Sequence, residues 1–170
     1  MIVLETDRLV LRHLTLNDAP FILELLNEPS FLRFIGDRGV RSLQGARDYI
    51  RKGPIASYES HGFGLYLVFL RESGEPIGMC GLLKRETLRD VDVGFAFLPG
   101  HWRQGFASES ARAVLDYGQT RLGLKRIVAI TSPDNAASIG VLEKLGLKFE
   151  ALVRLDGDQK DVKLFVSEVS

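Results

Sequence analysis

Apolar and polar positions alternate in the opening stretch Thr6-Asp7-Arg8-Leu9-Val10-Leu11-Arg12, the pattern of a strand with one face on a core. Thr15-Leu16-Asn17-Asp18 then supplies helix-start chemistry, and Pro20 fits only the first turn of the helix that follows. Phe21, Ile22, Leu25 and Leu26 make its apolar face, and Pro29 is expected to end it. Residues 31–39 read as irregular, with aromatics at Phe31 and Phe34 and glycines at Gly36 and Gly39. Ser42 can cap a second helix carrying Leu43, Ala46, Tyr49 and Ile50, which Gly53-Pro54 is expected to break or kink. Variable structure of this kind is where substrate selection is expected to sit.

From Phe63 the period changes to that of sheet. Residues 65–70 and 76–83 are apolar runs around a Ser73-Gly74-Glu75 turn, so they are expected to pair antiparallel. A charged turn, 84–90, leads to a third strand over 91–98 and gives a meander. A strand at 127–131 is closed by Ser132-Pro133-Asp134-Asn135, and a helix is expected from about Ala136 to Leu145, with Gly146 at its left-handed C-terminal position. In that helix Ser138, Val141, Leu142 and Leu145 share the inward face, so the Ser138 hydroxyl needs a partner, either the carbonyl one turn back or a ligand. Asn135 is placed to cap it. Two last strands, 149–154 and 162–166, flank an Asp156-Gly157-Asp158 turn. The pattern is that of one mixed α/β domain spanning residues 1–170.

Residues 91–109 carry the most chemistry. An apolar strand containing a single charge, Asp92, runs into a short loop, 103–107, that opens directly into a helix. Strand, tight loop and helix start aim free backbone N–H groups and the positive end of a helix dipole at one spot, which favours a phosphate. Gly105 allows the turn and a close approach, and Ala107 keeps the next turn free of bulk. The helix buries Ala107, Ala111, Val114, Leu115, Gly118 and Leu122, leaving Glu109, Arg112, Asp116 and Gln119 outside. An ordinary strand-to-helix turn has the same spacing, so spacing alone leaves both readings open.

Composition narrows the classes. Lys plus Arg and Asp plus Glu number 22 each in 170 residues, so no general basic field attracts nucleic acid. The N-terminus lacks the basic flank and apolar stretch of a signal peptide, no apolar run approaches a membrane span, and one cysteine excludes an internal disulfide; a cytoplasmic address fits best. His13, His61 and His101 have no metal-ligand spacing, and no metal is expected. Cys80, inside an apolar strand, reads as core rather than nucleophile.

Several stretches together resemble the GNAT superfamily of N-acetyltransferases, and within it the RimJ/RimL-like branch of ribosomal-protein N-terminal acetyltransferases. Leu4-Glu5-Thr6-Asp7-Arg8-Leu9-Val10-Leu11-Arg12 is similar to the branch's opening strand, and Pro76-Ile77-Gly78 through Gly81-Leu82 to its third. Gly94-Phe95-Ala96 followed by Trp102-Arg103-Gln104-Gly105-Phe106-Ala107-Ser108-Glu109 resembles the acetyl-CoA motif. Asn135-Ala136-Ala137-Ser138 and Leu142-Glu143-Lys144-Leu145-Gly146-Leu147 resemble the motif after it. The four lie in the family's order over nearly the whole chain.

The resemblance implies a single GNAT-type α/β (α+β) domain: a mostly antiparallel mixed sheet, splayed at the cofactor site and flanked by helices. It implies direct transfer of acetyl from acetyl-CoA to a primary amine, on a protein N-terminus or a small molecule. The pyrophosphate would lie on the N–H groups of Arg103, Gln104, Gly105, Phe106, Ala107 and Ser108. The pantetheine arm would follow the backbone of Phe97 and Leu98, one of whose N–H groups would stabilise the oxyanion, and Asn135 would hydrogen-bond the arm. Asp92, on one strand face with Gly94 and Ala96, is the candidate proton acceptor; its rival role is a rim carboxylate paired with an arginine. Glu86 is a weaker candidate in a solvated turn. The chain departs from the family pattern at Trp102, read as a lid or packing residue beside the loop, and at Leu142, where a tyrosine often protonates the leaving thiolate. Ser138 is the candidate for that place, at least as a hydrogen-bond donor to the sulfur. The rival function is an acetyl-CoA-binding sensor or partner-binding module without turnover. No nucleic acid or membrane partner is expected, and the assembly is expected to be a monomer or homodimer.

Overall fold

The strand patterns close into one sheet because each strand finds a neighbour of matching register. The computed structural model describes residues 1–155 and 160–168. Among these, β1 (Ile2–Glu5), β2 (Leu9–His13), β3 (Leu65–Leu70), β4 (Pro76–Leu83), β5 (Val91–Phe97), β6 (Arg126–Thr131), β7 (Lys148–Val153) and β8 (Val162–Glu168) are ordered β1-β2-β3-β4-β5-β6-β8-β7. Every neighbouring pair is antiparallel except β5 and β6. The meander of β3, β4 and β5 is as expected. The opening differs: Thr6, Asp7 and Arg8 form the turn between β1 and β2, closed by the Thr6 N–H on the Leu9 carbonyl at 2.9 Å. No glycine or proline marks that turn, which is why alternation reads straight through it. The Asp156-Gly157-Asp158 turn lies outside the described residues.

Helices cover both faces. The helices are α1 (Ala19–Leu26), α2 (Pro29–Phe34), α3 (Leu43–Ile50), α4 (Ala56–His61), α5 (Phe106–Thr120) and α6 (Ala136–Lys144). Pro20 sits in the first turn of α1 and the Ser42 hydroxyl accepts from Gly45 N–H at 2.9 Å, as the sequence predicts. Pro29 does not close α1; it opens α2, where a missing N–H costs nothing. Gly53-Pro54 bulges the chain rather than breaking it. A π-helical turn, Arg51–Ile55, carries α3 into α4, and Gly62, at φ +79°, ends the run. Gly146 ends α6 at φ +89°.

Two cores result. Leu9, Leu11, Val68, Ile77, Val93, Ala111, Val114 and Leu142 pack between the sheet and α5 and α6. Leu14, Ile22, Leu25, Ala46, Ile50, Leu67 and Met79 pack between the opposite face and α1 and α3. At Gly81 a Cβ would fall 2.0 Å from the Gly64 carbonyl oxygen, so β3 approaches β4 as closely as only glycine permits.

The feature that positions the site is the contact of β5 with β6. They pair only at Val91↔Ile127 and Asp92↔Val128, and beyond these residues the two strands part. The sheet is splayed there, on the side where β5 leads into α5.

Candidate active site

At the wide end of the opening, the start of α5 is uncapped. Its N-cap is Gly105, at φ +84°, with no side-chain acceptor, and the first helical bond is Glu109 N–H to the Gly105 carbonyl at 3.0 Å. The N–H groups of Phe106, Ala107 and Ser108 therefore have no partner in the helix. Arg103, at φ 64°, is the one described non-glycine residue with a positive φ. Left-handed backbone at Arg103 and Gly105 curls the loop, an arrangement that turns successive N–H groups to one side and costs about 1 kcal/mol at the arginine. Arg103, Gln104 and Gly105 are exposed, so the loop is open to solvent. The lack of any capping oxygen is what an anion-binding helix start requires.

The β1–β2 turn braces this loop, a feature that local spacing could not reveal. Glu109, placed on the outer face by the helical pattern, accepts from Thr6 Oγ, from Arg8 N–H at 3.1 Å and from Arg8 Nε at 2.8 Å. The Arg8 guanidinium also donates to the Gln104 carbonyl at 2.9 Å and lies 4.3 Å over the Phe106 ring. Those hydrogen bonds hold the Glu109 carboxylate below its ordinary range although its burial opposes them. The partners stand more than 95 residues apart in sequence, the closest of these contacts being separated by 96 positions.

Along β5, alternate residues face opposite cores. Val91, Val93 and Phe97 face α5, while Ala96 and Leu98 join the α1–α3 side together with Asp92 and Gly94. The Leu98 N–H is committed to the Ile77 carbonyl on β4 at 2.9 Å. Strand alternation turns the Phe97 N–H the other way, towards the opening, which leaves Phe97 as the donor of the two that is free for an oxyanion. The Phe97 carbonyl accepts from the Trp102 indole Nε1 at 2.9 Å. Trp102, 42% exposed, thus lies over the strand at the mouth of the opening.

On α6, Asn135 Oδ1 accepts from Ser138 N–H at 3.2 Å, so Asn135 is the N-cap, and its amide N–H₂ remains free to donate. Ser138 is half-buried on the inward face, and its hydroxyl makes no hydrogen bond within the described residues; the bond to the carbonyl one turn back is not formed. Leu142 is 1% exposed within the core, where burial contributes about 2 kcal/mol. A leucine there serves packing.

Asp92 is neither at the rim nor unpaired. It is 1% exposed, and Arg85 Nε reaches its carboxylate at 3.1 Å. Burial pushes the carboxyl above its ordinary value, and the Arg85 charge and hydrogen bond, with the Lys84 charge, pull it back only in part. Half-buried Tyr49, on α3, feels the charges of Arg85 and Arg38, and its own burial raises its phenol. Glu86 is exposed in its turn. Cys80 is fully buried, with its thiol pushed up to about 12 by desolvation, which makes it an inert core residue. Among the described residues no three His, Cys, Asp or Glu side chains are grouped to hold a metal ion. No helix of the described residues is long and apolar enough to cross a membrane.

Comparison with known proteins bears on the family and the fold. The family model described as an acetyltransferase (GNAT) domain matches residues 8–148. The chain is similar to the uncharacterized N-acetyltransferase YoaA of Bacillus subtilis, at 35% identity over 153 residues, 89% of this chain and 86% of the relative. Among solved structures it is similar to an acetyltransferase from Agrobacterium tumefaciens, with a TM-score of 0.82 and 26% identity over 98% of this chain and 94% of the other. The RimL ribosomal alpha-N-protein acetyltransferase solved with coenzyme A shares the fold, with a TM-score of 0.85 at 21% identity over 99% and 98% of the two chains.

Proposed function

Since this chain belongs to the acetyltransferase (GNAT) family, we propose that it is an N-acetyltransferase, moving acetyl from acetyl-CoA directly onto a primary amine. The observation that carries the reading is the parting of β5 from β6 beyond Asp92↔Val128, in line with the uncapped start of α5. The backbone N–H groups of Gly105, Phe106, Ala107 and Ser108 receive the pyrophosphate, with Arg103 and Gln104 at the mouth of the loop. Phe97 and Leu98 flank the pantetheine arm, and the free amide N–H₂ of Asn135 donates to it.

In the reaction the amine nitrogen bonds to the thioester carbon, the C–S bond breaks, and the thiolate leaves. The Phe97 N–H stabilises the oxygen that becomes negative. Asp92 accepts the proton that the amine must lose, directly or through water. Ser138 donates a hydrogen bond to the departing sulfur. The acceptor is a protein N-terminus or a small amine, the working unit is one domain over 1–170, as monomer or homodimer, and the setting is the cytoplasm.

A second reading rests on Leu142. Because that position is given to core packing, the chain lacks the usual tyrosine acid there, as a sensor that binds acetyl-CoA without turnover would. The two readings part on the initial rate of CoA release, with N-terminal peptides, amino acids, polyamines and aminoglycosides each run against an acceptor-free blank. Acceleration by one class is the expected result. Binding of acetyl-CoA with no acceleration by any class selects the sensor.

A further inference from the structure

Two adjoining cavities, of about 310 and 350 Å³, lie beside the strand face that carries Asp92, and both are lined by Tyr49, Lys52 and Gly53. The first extends to Leu65, Leu83 and Lys84. Leu65 and Leu83 also bound the space over Gly94, the next residue after Asp92 on that face. The second cavity reaches Arg38 and Asp48.

The charge of this lining is one-sided. Arg38 and Lys52 make no ion pair among the described residues, and Lys84 reaches a carboxylate, that of Asp92, only through its charge. The Lys84 ammonium donates only to neutral carbonyls, those of Arg85 at 3.1 Å and Leu88 at 2.7 Å. The one carboxylate on the lining, Asp48, is already engaged by Arg51 at 3.2 Å and Gln44 at 3.1 Å. Asp92 is answered by Arg85. In a chain whose charges sum to zero, the three exposed cations leave a local positive excess around the lining, since Arg85 and Lys84 share the single Asp92 carboxylate and Arg38 and Lys52 have none. Pro54, Leu65 and Leu83 in the first cavity and Val40 in the second share the lining with these cations, and apolar side chains with a few charged groups that set orientation are the usual make-up of a small-ligand site.

We propose that these cavities receive the acceptor, and that the acceptor is a primary amine bearing a carboxylate close to its nitrogen. This inference rests on the acetyl-transfer reading and names its substrate class. Such a carboxylate belongs either to an amino-acid-like small molecule or to the acidic first residues of a peptide. Polyamines and aminoglycosides are disfavoured, because each would bring further positive charge against Arg38, Lys52 and Lys84.

The test compares matched acceptors: amino acids against their carboxamides, and acidic tetrapeptides against basic ones with the same first residue, with spermidine as a polycation. In each pair kcat/KM for the acidic member is expected to be about tenfold higher, equivalent to about 1.4 kcal/mol, and the advantage should shrink as salt is added. The pair with the larger ratio identifies the source of the carboxylate. Arg38→Glu combined with Lys52→Glu should invert the ratio while calorimetric affinity for acetyl-CoA is unchanged. Equal rates within every pair, or a preference for spermidine, overturns the proposal and leaves acetyl transfer standing. If no acceptor accelerates CoA release, the transferase reading falls; calorimetric titration of the acidic and neutral members with CoA present then decides the cavity, and equal or absent binding overturns it.

Discussion

Asp92→Asn separates the two roles open to the buried carboxylate. The substitution removes a negative charge from a site that is 1% exposed and keeps an oxygen that can accept from Arg85. At 3.1 Å and an effective dielectric constant of about 20, the ion pair is worth about 5 kcal/mol of attraction. Desolvation outweighs it, since the carboxyl is raised above its ordinary value in spite of Arg85. The folded protein therefore holds the Asp92 proton more tightly than the unfolded chain, whose carboxyl has an ordinary value of about 3.9. That contribution to stability is fully present below the unfolded value and is lost as pH rises through the folded one. At neutral pH the asparagine variant escapes the penalty, so its Tm should equal or exceed that of the wild type, and the gap should close in acid. Turnover should fall at least about a hundredfold, the lower end of general-base effects. Thermal denaturation and CoA release, each measured across pH on both proteins, check this. A Tm lower by several degrees at neutral pH with kcat unchanged would refute it, and would make the pair structural.

Further outcomes follow from the loop and its brace. Gly105→Glu should abolish acetyl-CoA binding by calorimetry, because residue 105 has φ +84°, its Cβ would lie 3.3 Å from Arg8 Nη2, and a carboxylate would face the pyrophosphate; undiminished affinity removes the cofactor site from this loop. Arg8→Ala should weaken acetyl-CoA binding about tenfold while lowering stability by no more than about 1 kcal/mol, as expected for a half-exposed ion pair; a loss of Tm without a change in affinity makes the brace purely structural. Trp102→Phe deletes the donor that occupies the Phe97 carbonyl, a bond worth about 1 kcal/mol, so acetyl-CoA should bind several-fold more tightly. Weaker binding in that variant means that the indole supports the ligand instead of competing with it.

What was legible in the sequence was local. Helix α5 declares itself through its buried stripe, and the loop at Gly105 through a glycine set between a strand and a helix start. Pro29 misled because proline both ends helices and begins them, and only the N–H count at α2 distinguishes the two. Gly53-Pro54 was absorbed by a π-helical turn, whose wider ring accommodates a residue that an α-turn rejects. The β1 strand and its turn carry no punctuation at all. Asp92 stands out as the one charge in an apolar strand, but its depth is set by tertiary packing, and its partner Arg85 is not identifiable by spacing. The brace from Thr6 and Arg8 to Glu109 spans more than a hundred positions, as does no periodic signal.

The cationic cavities and the buried carboxylate act on the same proton from opposite sides. A peptide α-ammonium ordinarily holds its proton up to a pH of about 8, and a simple alkylammonium up to about 10, so at neutral pH the larger part of the acceptor is not nucleophilic. Arg38, Lys52 and Lys84 disfavour the ammonium form, and with Asp48 already engaged by Arg51 nothing on the lining restores it. Asp92, raised by burial, is in turn a stronger base than a solvated carboxylate. The donor value is lowered and the acceptor value raised, and proton transfer between them becomes less uphill even though Arg85 holds part of the Asp92 charge. Lys52→Glu reverses one of these influences without touching Asp92. The acceptor should then keep its proton to higher pH, and the alkaline rise of kcat/KM should move in that direction while the Tm profile associated with Asp92 stays in place. A rise that does not move would show that the cations bind the acceptor without tuning it, and would leave proton removal to Asp92 alone.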